Sequence, residues 1–544
     1  MKKLLLATVA SLLISNAAPT PAEYDIVIRG GRVLDGAGNP WVQADVAIKD
    51  GRIVKVGQVV EAGRKEVDAR GRYVSPGFID MQDQSGRGIL DTGAESKLRQ
   101  GVTSLIAGEG GTPVPADEIA GWFGQMEKKG IPVNFGTYYG AVQARSKVMA
   151  DRAGTPTPEQ IEVMRQEVAT AMRAGVFGIS TALIYAPATF QSKADLIELA
   201  KVAGQCGGFY VTHMRDESDK LLPAIQEAIE IGEGGGTKVE IYHLKAAYQP
   251  KWGKLMPQAV AAIEAARARG VDIAADMYVY TAGGTGLNVT VPSWVWADGR
   301  DKGLERLRDP AVRARIKKEV AAGSQPDWSN LVAASGGWDH VMLAGSYSPD
   351  YAQYEGKSIA YIGKQLKKDP ADVAWDIVLA AQPKRAGALY FMMSEKDVET
   401  ALRQPWISIG SDAGATDEMS APNGGVGRAH PRSYGNFVRV IAEYVKKRHV
   451  LTLEDAVRKM TGWPAQRMGL RDRGLIREGM RADVIVFDLD KLQDVATYER
   501  PVATPVGIDD VIVNGVAAIE GGRMTGARSG QVLRHPCNLP APPG

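Results

Sequence analysis

Eight short apolar runs recur through the middle of the chain, each bounded by Gly, Pro or charged residues. In order they are SPGFIDM, TSLIAGE, VNFGTYY, VFGISTALI, FYVTH, VEIYH, DIAADMY and PWISIGSD. Each is short enough to be a buried strand rather than a helix. Between them lie amphipathic runs such as PEQIEVMRQEVATAMRAG and DLIELAKVAGQCGG, whose apolar positions repeat at helical spacing. Strand and helix alternating eight times predict an α/β fold, a (β/α)8 TIM-type barrel, with any reactive residues at the C-terminal strand ends.

The two ends of the chain are patterned differently. YDIVIRGGRVLDGAG and ADVAIKDGRIVKVG near the start, and ADVIVFDLD and DDVIVNGVAAIEGGRMTG near the finish, are alternating strands joined by Gly-Gly, Asp-Gly and Asn-Gly turns. Both ends are expected to form one small β-sandwich domain, residues 23–75 with 475–535, around a barrel spanning residues 76–474. The roughly 125 residues between Tyr280 and Trp406 far exceed an ordinary connection of about 2–6 residues. Helical runs inside them predict a folded insertion, about 285–400, before the last barrel strand and over the barrel mouth. The Gly-rich residues 414–427 are expected to be mobile and the Pro-rich tail after Arg534 poorly structured.

Composition adds a compartment. Lys2-Lys3, the apolar run LLLATVASLLIS and the small residues SNAAPTPA make residues 1–22 a secretory leader, too short in its apolar part for the ~20 residues a membrane span needs. Those two lysines account for the formal charge of +2, so the remaining chain is neutral, with no basic patch for nucleic acid. No Cys lies near the cleavage region to carry a lipid anchor. A periplasmic or secreted protein is expected, with its oligomeric state undetermined. The two cysteines, Cys206 and Cys537, could form one disulfide in an oxidising compartment; a lone Cys206 thiol at a helix end is the preferred expectation.

The candidate chemistry sits where the barrel pattern puts it. The chain has six histidines, and two of them, His213 and His243, close consecutive strands; Asp412 closes the last. Neutral imidazoles are preferred zinc ligands, and a buried carboxylate must be paired, hydrogen-bonded or metal-linked. Separately, the histidines read as hydrogen-bonded core residues and Asp412 as a helix cap. Together they read as a metal site with a general base beside it.

With those residues in place, the chain resembles the amidohydrolase superfamily, and specifically the D-aminoacylase (N-acyl-D-amino-acid deacylase) family. SPGFIDM, THMRDE, IYHLKAA, IGSDAGA, HPRSYG and the stretch from LTLEDAVRKM to RADVIVFD carry the resemblance over nearly the whole chain after the leader. It implies a metal-dependent barrel that hydrolyses N-acyl-D-amino acids. Two departures stand out. The family's His-x-His at the end of the first strand is Gln82-Asp83-Gln84 here, and Gly110 stands at the family's Cys position in Gly108-Glu109-Gly110-Gly111. Glu109, next to the missing Cys, is expected to complete a one-zinc site with His213 and His243, leaving Asp412 as the catalytic base. Gln82 and Gln84 are poor ligands suited to hydrogen bonding. The resemblance further implies that Lys245, Tyr278 and Arg432 hold a substrate carboxylate, although the family's nearby Ser is Gly284. Trp294 and Trp296 are candidates for an acyl pocket or for core. Two alternatives remain: hydrolysis of another small amide, such as a dipeptide or cyclic amide, and a non-catalytic periplasmic binding protein.

Overall fold

The computed structural model describes residues 23–325, 328–417 and 429–540. The expected leader, residues 1–22, and most of the Gly-rich segment, from 418 onward, lie outside the described residues.

The barrel strands are β1 (Phe78–Asp83), β2 (Val102–Ala107), β3 (Asn134–Thr137, resuming at Tyr139–Gly140), β4 (Gly178–Ala182), β5 (Phe209–His213), β6 (Lys238–Ile241), β7 (Ile273–Met277) and β8 (Ile407–Ile409). They pair in parallel from β1 to β3 and from β3 through to β8. The ring closes between the ends of β8 and β1, through a parallel bridge of Asp83 with Ala413 and a hydrogen bond from Asp412 N to Gln82 O, 2.9 Å. These strands are buried on both faces, which is why they read as continuous apolar runs rather than alternating ones. The main core fills the shell between strands and helices. A second cluster, including Ile79, Met81, Tyr138, Phe209 and Tyr242, packs the barrel interior.

A fully buried lysine braces the closure. Lys97 Nζ donates to Asp80 Oδ2 (2.7 Å), Ser411 Oγ (2.7 Å) and Ala413 O (2.6 Å), and lies 3.2 Å from Asp83 Oδ1. One ammonium with two carboxylates and two further acceptors thus ties β1 to the segment after β8. An uncompensated charge at such depth would be strongly destabilising.

Among the described residues the chain ends supply nine strands to one hydrogen-bonded sheet, rather than to two separate sheets. The N-terminal strand Tyr24–Val33 bends at a bulge, pairing with Gly63–Asp68 before it and with Tyr73–Pro76 after it. Ile26, Ile28, Val46, Val484 and Ile512 share its core, so both ends of the chain bury one apolar cluster. The chain crosses from this sheet to the barrel at Gly77, where a Cβ would lie 2.3 Å from the Thr103 side chain. The insertion folds around its own three-stranded antiparallel sheet, Gly283–Gly286, Gly387–Tyr390 and Val341–Gly345, with a separate apolar core that includes Trp375 and Leu343.

Two expectations are corrected. Cys206 is not a lone thiol: it is disulfide-bonded to Cys537, 331 residues away. The described part of the tail, residues 535–540, is not loose either, and the last four residues lie outside the described ones. Leu533 N donates to Phe135 O, His535 N to Gly175 O, and His535 Nε2 lies 2.9 Å from Cys206 O. These contacts dock the tail against the barrel end opposite the mouth and bring Cys537 to Cys206. Such long-range docking leaves no mark on local composition. Among the described residues no helix is long and apolar enough to cross a membrane.

Candidate metal centre and active site

The β-strands deliver the site residues to one point. Glu109 follows β2, His213 ends β5, and His243 lies two residues beyond the end of β6. One ligand atom from each of the three lies within 4.8 Å of the others, and all three residues are buried. Glu109 Oε1 is 2.8 Å from His213 Nδ1 and 3.6 Å from His243 Nε2. Two imidazole nitrogens and one carboxylate oxygen facing a common point make a reasonable three-ligand zinc site with a position left open. The residues present therefore fit a metal. Burial pushes the Glu109 carboxyl up, but the two histidines outweigh it and hold it well below the ordinary range, so the ligand carboxylate stays ionised.

His243 Nδ1 is 2.9 Å from Glu217 Oε1, while Lys245 Nζ lies 2.6 Å from the same nitrogen and donates to Glu217 Oε1 at 2.7 Å. Nε2, on the side of Glu109, is the nitrogen left for a metal, which would have to displace the proton that the raised pKa keeps on the ring. Burial and Lys245 push the His243 pKa down, but Glu217 and Glu109 outweigh them and push it up to about 10. Glu217, 3.5 Å from His213 Nε2, thus faces both histidines. It belongs to THMRDE, yet nothing in its spacing singled it out.

His243 and Asp412 share a strained backbone, with φ of +34° and +50°. Non-glycine residues held there cost on the order of 1–3 kcal/mol and persist where surroundings fix them. His243 N donates to Asp276 Oδ1 at 2.9 Å, and Asp412 N is held by Gln82 O. Asp276, inside DIAADMY, is a second residue the sequence pattern did not flag.

Asp412 Oδ2 accepts from Arg432 Nη2 at 2.8 Å and lies 4.0 Å from His243 Nε2; Oδ1 accepts from Gln84 Nε2 at 3.2 Å. Burial raises the Asp412 pKa, Arg432 opposes that, and Glu109 adds to it; the net shift is upward. The Arg432 guanidinium stacks 4.6 Å from the Tyr278 ring centroid. Arg432 Nη1 and the Tyr278 hydroxyl are both buried and have no hydrogen-bond partner among the described residues. Lys245 departs from expectation, because its ammonium is engaged by Glu217 and His243 rather than left open. At Gly284 a Cβ would lie 3.3 Å from His430 and from Leu389, a tight fit, and 3.7 Å from Arg432 Nη2, an ordinary contact.

Tyr185, after β4, packs at a tilt against His213, with ring centroids 5.1 Å apart and ring planes at 60°, and also lines a cavity of about 390 Å³ under the insertion. Ile184, Val289, Val291 and Trp296 supply apolar wall, and Arg300, Lys384 and Arg385 basic groups. Trp294 does not line it: its Nε1 donates to Glu319 and its ring is covered by Arg315.

A parallel barrel with two histidines, a carboxylate and an aspartate at its strand ends is the arrangement of a metal-dependent amidohydrolase. An amidohydrolase family model matches residues 365–519. The chain is 31% identical to an N-acyl-D-glutamate deacylase of Alcaligenes xylosoxydans xylosoxydans, over 96% of this chain and 99% of the relative. It superposes with a TM-score of 0.77 and 29% identity on the crystal structure of N-acyl-D-glutamate deacylase from Bordetella bronchiseptica complexed with zinc and a phosphonate mimic of the tetrahedral intermediate, covering 94% and 99% of the two chains. A D-aminoacylase structure, described for a binuclear centre with one-metal activation and second-metal attenuation, matches at TM-score 0.77 and 29% identity, over 94% and 100%. The chain belongs to the N-acyl-D-amino-acid deacylase (D-aminoacylase) family of amidohydrolases.

Proposed function

We propose that the protein hydrolyses the amide bond of N-acyl-D-amino acids, releasing a carboxylate and the free D-amino acid, with one zinc ion held by Glu109, His213 and His243. The single observation that carries this reading is the convergence of that triad beside Asp412 and two buried donors, Arg432 Nη1 and Tyr278 OH, that have no partner among the described residues. Glu109, His213 and His243 would hold the zinc, which when bound would supply Lewis-acid polarisation of the amide carbonyl and acidify water at that point. Asp412, with its raised pKa, takes the proton of the attacking water and returns it to the leaving nitrogen. Arg432 and Tyr278 receive the amino-acid carboxylate, which satisfies both donors. Lys245 holds Glu217 in place and so fixes His243. The cavity beyond Tyr185 has room for a bulky substituent of the substrate.

The test is a screen of paired N-acyl-D- and N-acyl-L-amino acids with metal-free and zinc-loaded protein. Zinc-dependent hydrolysis of D substrates is expected, lost in His213→Ala. Absence of hydrolysis of every N-acyl amino acid after zinc loading would refute the assignment.

We also infer export. The leader pattern of residues 1–22 supports it, and so does the Cys206–Cys537 disulfide, since such bonds persist in oxidising compartments. Mass spectrometry of the cell-fractionated protein should find a chain beginning near residue 23 outside the cytoplasm; an intact N-terminus confined to the cytoplasm would refute it.

A further inference from the structure

Gln82-Asp83-Gln84 stands where the resemblance implies a pair of metal-binding histidines, and the three side chains are not idle. Asp83 turns to the Lys97 brace. Gln82 Nε2 donates to Glu109 Oε2 at 2.7 Å, and Gln84 Nε2 donates to the same oxygen at 2.5 Å. The carboxylate fixes the amide orientation, because a glutamine oxygen turned toward it would be repelled. A carboxylate oxygen has about two lone-pair directions, and on Oε2 both are taken. Oε1 is the oxygen that faces His213 and His243.

We propose that Gln82 and Gln84 are positioning residues that stand in for a second metal ion: they saturate Glu109 Oε2, so that only Oε1 would be left to hold an ion. Gln84 also donates to Asp412 Oδ1, linking the ligand carboxylate to the proposed base. This inference rests on the metal reading above.

Packing does not explain the missing thiolate, since a Cβ at Gly110 would have no heavy atom within 4 Å.

The experiment is zinc titration of metal-free protein against a chromophoric chelator, with elemental analysis of the saturated protein. Wild type should take one zinc per chain even with zinc in excess. Q82L/Q84L should bind that zinc about 10–100-fold more weakly, the usual effect of removing a hydrogen-bond partner from a metal ligand. Because Gln82 is buried, the single variant Q84L, at an exposed position, is measured beside it and should show weakening in the same direction. Thermal unfolding of the metal-free proteins checks that both variants fold. Two zinc ions in the wild type, or a Q84L affinity unchanged within about twofold, would overturn the inference while leaving the metal reading intact. A wild type that binds no zinc would overturn the metal reading itself, and the inference with it.

Discussion

Arg432→Met isolates the electrostatic control of the proposed base. The arginine fork contacts Asp412 Oδ2 at 2.8 Å, which puts the centres of charge about 4 Å apart. At the effective dielectric of about 20 suited to such pairs, the attraction is about 4 kcal/mol. Its loss therefore raises the Asp412 pKa further, in the direction in which burial and Glu109 already push it. The sign follows from the role. Asp412 works deprotonated, and activity falls as pH drops through its pKa. Arg432 holds that pKa down, so removing it moves the acid limb of the pH–rate profile to higher pH.

The assay is kcat and kcat/KM against pH for wild type and variant on one N-acyl-D-amino acid, with zinc saturating throughout. The kcat/KM profile reports the free enzyme and should carry the full upward shift. The kcat profile reports the complex, where the substrate carboxylate already offsets part of the arginine charge, and should move less. KM should rise as well, because Arg432 Nη1 and Tyr278 OH are the donors assigned to that carboxylate. An acid limb that stays in place, in a variant that binds zinc normally, would refute Asp412 as the titrating base. Asp412→Asn should lower kcat by about 10²–10⁴-fold.

Other outcomes follow from the fold. Lys97→Met leaves Asp80 and Asp83 buried without their cation and should destabilise the protein by about 3–5 kcal/mol in denaturant unfolding; adding Asp80→Asn should recover part of that loss. The Cys206→Ser/Cys537→Ser variant should lose about 2–5 kcal/mol of stability yet keep its kcat/KM, because the bond lies at the barrel end opposite the site. Glu217→Gln leaves Lys245 and His243 without their shared carboxylate and should weaken zinc binding about 10–100-fold, read by the same titration.

The barrel was legible because its strands are buried on both faces, and eight separate apolar runs leave few other folds. The positions of His213, His243 and Asp412 were legible for the same reason, each standing at or just past the end of such a run. Glu109 became visible only through what its neighbours lack. Glu217, Asp276 and Lys97 stayed hidden, because a buried ion pair is defined by a partner in space. Lys97 sits in SKLRQG, where nothing in the local pattern marks it as buried; Asp80, Asp83 and Ser411 surround it in space. The disulfide is the extreme case, with partners 331 residues apart and a tail whose composition suggests disorder.

Gln82 and Gln84 show the same limit from the other side. In the sequence they register only as a loss, two neutral amides where ligands were expected. In space, two amides converging on one carboxylate oxygen are a specific construction, since neither alone would use up both of its lone pairs. A site that had merely decayed would have no reason to keep both donors aimed at Glu109, to keep its other oxygen facing two histidines, or to keep His243 and Asp412 in costly backbone conformations. That combination favours a working one-metal centre over a binding protein left behind by a vanished enzyme.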